Sequence, residues 1–108
     1  MAIAYVQEFK IEDGDTSTKN YDAVVAALNL EDAPAGLLIH TAGFDHDAGV
    51  FRIMDVWESR ADGEKFINER LNPVIEPMAA AAAERGDTSF SPPTRETWYE
   101  LHHALTAS

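Results

Sequence analysis

The sequence contains no cysteine. That excludes disulfides, thiolate nucleophiles and thiolate metal sites, and fits a cytoplasmic protein. Cations are scarce: 8 Lys and Arg stand against 19 Asp and Glu, a formal net charge of -11, and such a field repels phosphate backbones and anionic lipid surfaces. Neither nucleic acid nor a membrane is an expected partner. No apolar run approaches the ~18 residues that would suggest a membrane-spanning helix. The opening "MAIAYVQEFKIEDGD" has no basic region ahead of a long apolar stretch, so no secretory signal is expected. Glycine-rich phosphate loops and serine elbows are also missing, since "AGFDHDAG" has neither spacing.

What is present is the material of an ordinary globular protein. Hydrophobic residues make up 45% and charged residues 25%, and a chain of 108 residues suits one domain, residues 1–108, that would gain from extra burial by association. "AIAYVQEFKI" (2–11) reads as a strand ended by the turn-like "EDGD". From about 16 to 30, Tyr21, Val24, Val25 and Leu28 recur at helical spacing, with Asp15, Thr16, Ser17 or Thr18 as the cap. "GLLIHTAGF" and "VFRIMDVWE" are strand-like runs around "DHDAG", a hairpin signal. Ser59, three residues before Asp62, resembles a capping box, and Phe66, Ile67 and Leu71 form the stripe of a second helix. Pro73 opens a further helical segment, Pro77 bends it, and "MAAAAAERG" carries it to Gly86. After the loop "DTSFSPPT", a last strand spans about Thr94 to His103. The order β-α-β-β-α-β is that of a ferredoxin-like α+β fold: a four-stranded antiparallel sheet with both helices on one face.

A sheet covered on one side alternates apolar and polar residues. Here Phe51, Ile53 and Trp57 fall on one face of a strand, yet Met54 and Val56 fall on the other; Ile3, Tyr5 and Phe9 likewise oppose Ala2, Ala4 and Val6. The chain's helices cover one face, so the other is expected to pack against a second copy as a homodimer.

The element order, and above all "GLLIHTAGFDHDAGVFRIMDVWESRADGEKFINERLNP" (36–73) with its "VWES" step from strand end to helix cap, resembles the dimeric α+β barrel proteins of the antibiotic-biosynthesis-monooxygenase type. The resemblance implies two ferredoxin-like sheets packed face to face and a pocket in each subunit between sheet and helices. It also implies a mixed set of functions, including cofactor-free oxygenases of aromatic polyketide-like substrates and haem-degrading enzymes, so it bears on fold more than on reaction. Trp57 matches a Trp of the haem-degrading branch, and Gln7 stands where that branch has Asn. Residues 60–86 contain no histidine, so the proximal iron ligand which that chemistry requires is missing. No cofactor and no metal is expected.

If the hairpin loop is the four residues His46 to Gly49, opposed residue numbers sum to 95, which sets His40 against Asp55, Leu38 against Trp57, Ala42 against Ile53 and Phe44 against Phe51. A carboxylate beside an imidazole raises its pKa and fixes its tautomer, so His40 and Asp55 are the candidate catalytic pair. The bland alternative is a polar cross-strand contact that only satisfies itself. Trp57, Tyr5, Gln7, Phe66 and Tyr99 are candidate substrate contacts; Trp57 at a strand end equally suits core packing. Asp45, His46 and Asp47 read as a solvated hairpin tip, and His102 and His103 point to opposite faces. The expected activity is a cofactor-independent monooxygenase acting on a flat, aromatic or polyketide-like molecule. A proton-transfer isomerase or lyase in the same pocket, or a noncatalytic ligand-binding or structural homodimer, are the alternatives.

Overall fold

A computed structural model describes residues 2–12, 14 and 16–105. Four strands, β1 (Ile3–Lys10), β2 (Leu37–Asp45), β3 (Val50–Trp57) and β4 (Arg95–Glu100), form one antiparallel sheet in the order β2-β3-β1-β4. Between β1 and β2 runs α1 (Lys19–Leu28), and after β3 come α2 (Arg60–Phe66), a π-helical turn over Ile67–Leu71 and α3 (Asn72–Glu84). This is the expected ferredoxin-like α+β arrangement.

The hairpin turns where its residues predict. Asp45 accepts the Ala48 N–H at 3.0 Å, and Gly49 takes φ 70°, a left-handed value that costs glycine little. From this tip the register runs Asp45↔Val50, Phe44↔Phe51, Ala42↔Ile53 and His40↔Asp55, up to Ile39↔Val56. It then breaks. A bulge at Leu38 shifts the pairing so that Leu37, not Leu38, opposes Trp57. One extra residue leaves Leu38 out of the ladder, 53% exposed, because a bulge sets two residues of one strand against one of its partner.

At the end of β3 the Ser59 hydroxyl accepts the Asp62 N–H at 3.2 Å and donates to the Asp62 carboxylate at 3.0 Å. The helix start is thus capped as the sequence predicts. Pro73 lacks an N–H, and the wider turn that precedes it, closed by Asn72 N–H on the Ile67 carbonyl, accommodates the lost α-helical bond. The helix continues through Pro77 and ends at Arg85, where Gly86 (φ 75°) and Asp87 donate to the carbonyls of Ala83 and Ala82 at 3.0 and 2.9 Å. These paired bonds close a Schellman motif. Of the four candidate caps of α1, Thr18 occupies the cap position, but its hydroxyl donates to the Asp22 carboxylate at 2.7 Å rather than capping a backbone amide; Asp15 lies outside the described residues. β4 is shorter than expected and stops at Glu100, leaving His102 and His103 beyond it.

Strand alternation sorts the sheet into two faces. Tyr5, Phe51, Asp55, Trp57, His40 and Trp98 face the helices, where Phe66 meets Trp57 at 5.7 Å and Tyr21 meets Phe51 at 5.5 Å between ring centroids. Ala4, Val6, Met54, Val56, Ile39 and Tyr99 share the opposite face, away from these helix contacts. There Arg52 pairs with Glu8 at 2.6 Å and with Asp45 at 2.9 Å.

Candidate functional site

Register places one residue from each strand in a single row across the helix-facing side: His40 of β2, Asp55 of β3, Tyr5 of β1 and Trp98 of β4. The row changes character along its length. Tyr5 stacks on Trp98 with centroids 4.1 Å apart and donates its hydroxyl to the Glu96 carboxylate. Burial first, then Glu96, push the Tyr5 phenol far above its ordinary pKa, so it remains a protonated donor. Arg60 lies over the outer face of Trp98, 4.9 Å from the ring, a cation–π contact.

At the other end His40 Nδ1 and the Asp55 carboxylate are hydrogen-bonded. His40 is 40% exposed and Asp55 17%, so the pair sits at the sheet edge, open to solvent on the histidine side. Its hydrogen bond with Asp55 is the largest influence on His40 and raises its pKa, partial burial opposes this, and the Asp55 charge adds to the rise. A carboxylate accepts from Nδ1–H, which leaves Nε2 of the neutral ring as an acceptor. That acceptor is engaged by the Tyr21 hydroxyl, 2.6 Å away, with the two rings parallel to within 3°. Burial, then the charges of Asp55 and Asp22, raise the Tyr21 pKa. The phenol therefore keeps its proton and donates it to Nε2.

The remaining expected contacts divide. Gln7 stands next to Tyr5 on the helix-facing side, one row along, opposite Ile53 and Glu96. Phe66 is on the helix side against Trp57, as expected. Trp57 is 1% exposed, and its indole N–H has no hydrogen-bond partner. It lies against Gly63, whose added Cβ would come within 3.1 Å of it. Tyr99 must be reassigned: it pairs with Ala4 and is 45% exposed on the open face, away from the row, because strand alternation gives the helix-facing side to its neighbour Trp98.

Two clefts, of about 280 and 330 Å³, lie elsewhere, one between α1 and α3 and one along the β2–β3 hairpin. Neither is lined by His40, Asp55 or Trp57. Among the described residues no three His, Asp or Glu side chains gather as metal ligands, and no helix is long and apolar enough to cross a membrane.

Sequence reasoning missed two members of this constellation. Tyr21 reads as one more apolar position of the α1 stripe, and only the docking of α1 over β2 reveals its hydroxyl on His40. Trp98 is set beside Tyr5 by the pairing of β4 with β1, a contact between residues distant in sequence.

No protein-family model matches the chain, and no curated protein does. Solved structures do. A protein of unknown function from Nitrosomonas europaea is 20% identical, with a TM-score of 0.63 over 99% of this chain and 95% of that one. A provisionally assigned antibiotic biosynthesis monooxygenase from Chloroflexus aurantiacus is 12% identical, with a TM-score of 0.61 over 98% of both chains. SnoaB, a cofactor-independent oxygenase from Streptomyces nogalater, is 15% identical, with a TM-score of 0.59 over 98% of both. Such identities establish architecture and leave reaction to be argued from the site. The chain therefore has the α+β fold shared by antibiotic-biosynthesis-monooxygenase-like proteins.

Proposed function

We propose that the protein is a homodimeric, cofactor-independent monooxygenase acting on a flat aromatic or polyketide-like substrate. The observation that carries this reading is the Asp55–His40 pair, hydrogen-bonded at the sheet edge with its histidine pKa raised. His40 is the proton acceptor of the site and Asp55 orients it and stabilises the imidazolium. Proton removal leaves a delocalised carbanion that reacts with dioxygen. Tyr5 and Gln7 position the substrate beside the pair, and Trp57 and Phe66 form the apolar wall behind it. The similarity to SnoaB supports an oxygenase over other uses of the same base.

The open sheet face supports the dimer. A compact monomer of this mass exposes roughly 5,900 Å², whereas this chain exposes 7545 Å². The buried apolar core is limited to Ala4, Tyr5, Trp57 and Ala82 among the described residues. Ile39 and Tyr99 add exposed apolar area to the uncovered face, and a second copy seated there removes it from water.

The test is oxygen uptake against a panel of quinols and anthrones, comparing the native protein with His40→Ala. Uptake that disappears in the variant supports the reading. Turnover without oxygen consumption moves the assignment to a proton-transfer isomerase or lyase, and binding without turnover, read as a raised melting temperature, to a ligand-binding dimer.

A further inference from the structure

Both ring nitrogens of His40 are already occupied, Nδ1 by Asp55 and Nε2 by Tyr21. A base needs a free lone pair, so while Tyr21 is in place His40 cannot itself touch a substrate proton. We propose that Tyr21 is the catalytic residue that meets the substrate, the outer member of an Asp55–His40–Tyr21 relay, and that its partner is a phenolic or enolic hydroxyl of the substrate. The relay rests on the oxygenase reading only for the chemistry after deprotonation.

The geometry supplies each part of the step. Tyr21 is in the first turn of α1, its ring held edge-on against Phe51 and parallel to His40, so the hydroxyl is fixed on Nε2. Because that hydroxyl donates to Nε2, its remaining lone pairs accept from outside, and its bond to His40 lies at the solvent-exposed edge of the sheet. In one concerted transfer the substrate O–H bond breaks as a new O–H bond forms at Tyr21 Oη, and the former Tyr21 O–H bond breaks as Nε2–H forms. The electron pair stays on the substrate oxygen and delocalises into its ring. Tyr21 ends as the neutral phenol it began as, and His40 ends as an imidazolium against Asp55. A hydroxyl beside a conjugated ring fits this device better than an unactivated C–H, because two oxygens exchange a proton through a short hydrogen bond with little reorganisation.

The probe is dithranol, a dihydroxyanthrone whose spectrum reports its ionisation. Oxygen uptake and the ionised fraction of the bound probe are measured for the native protein, Tyr21→Phe and His40→Gln, and the rate is followed in mixtures of light and heavy water. The relay predicts a curved isotope dependence in the native protein, because two protons move together. It predicts a loss in Tyr21→Phe of about a hundredfold in kcat with KM little changed, and an isotope dependence that becomes linear. The native isotope curve needs no variant, so it decides the matter even if Tyr21→Phe does not fold. Full kcat in folded Tyr21→Phe, or a linear native curve, overturns the relay and leaves His40 as the direct base. Ionisation of bound dithranol that depends on Tyr21, with no oxygen taken up, upholds the relay and removes the oxygenase reading. Neither ionisation nor uptake overturns both.

Discussion

Gly63 lies in α2 with its Cα against two indoles. A Cβ built there meets Trp98 Cη2 at 2.9 Å and Trp57 Cδ1 and Nε1 at 3.1 Å, where relaxed carbon contacts lie at ~3.5–4.0 Å. For Gly63→Ala to fit, an indole must retreat by about half an ångström or more. Trp57 is fully buried and has nowhere to go, while Trp98 is held between Tyr5 and Arg60. Overpacking of this kind costs about 1–3 kcal/mol, and the gain from replacing a helical glycine returns at most ~1 kcal/mol. The net expectation is a loss of up to ~2 kcal/mol, which in a domain of this size lowers Tm by about 4–8 °C for each kcal/mol lost. The displacement passes through Trp98 to Tyr5, so the near-ultraviolet circular dichroism of the stacked pair changes with it. Thermal melts followed in the far and near ultraviolet measure both. An unchanged or higher Tm with an unchanged aromatic signal would refute the claim that this glycine exists to bring α2 onto the two indoles.

Four further outcomes follow from the structure. Asp55→Asn removes the main cause of the raised His40 pKa, so the acid limb of the activity profile moves to lower pH and kcat falls, read from kcat against pH; an unmoved limb would mean another group titrates there. Because the folded-state pKa of His40 is raised, its stabilising contribution is fully present below the unfolded value and is lost as pH rises through the folded one; denaturant melts across that window should show the loss in the native protein and not in Asp55→Asn. Met54→Lys places a charge in the middle of the open face and should convert the proposed dimer to monomer in sedimentation while the far-ultraviolet spectrum is kept, and Ser59→Ala should cost about 1 kcal/mol in chemical denaturation through the lost cap.

The sequence carried those features whose causes are local. Alternation and turn residues marked the hairpin, and arithmetic from its tip reached His40↔Asp55 because no bulge intervenes over that distance. The same arithmetic failed two residues further on, where Leu38 adds a residue that no side chain announces. Ser59 and Gly86 were legible because caps are chemistry of a few adjacent residues. What was not legible depends on contacts distant in sequence. Tyr99 and Trp98 are assigned to faces only through pairing with Ala4 and Tyr5, more than ninety residues away. Val25 fits the helical period of α1 and yet is 50% exposed, while Tyr21, in the same stripe, turns its hydroxyl onto an edge-strand histidine. Periodicity identifies the face of a helix but not which polar atom at its border finds a partner.

The charge of the chain gives a reason for a relay in place of a lone base. With a formal net charge of -11 and an ionised Asp55 in the row, a second negative charge on a bound substrate is disfavoured if the proton departs to solvent. Retaining that proton on Nε2 leaves the charge of the site unchanged through the transfer: an aspartate with a neutral ring and a neutral substrate becomes an aspartate with an imidazolium and a substrate anion. The new cation forms between the two anions, and Asp55 is already hydrogen-bonded to the ring that receives it. The preorganised pair thus stabilises charge as it develops without requiring any other cation nearby. None is needed within the row; the guanidinium of Arg60 lies over Trp98 at the far end.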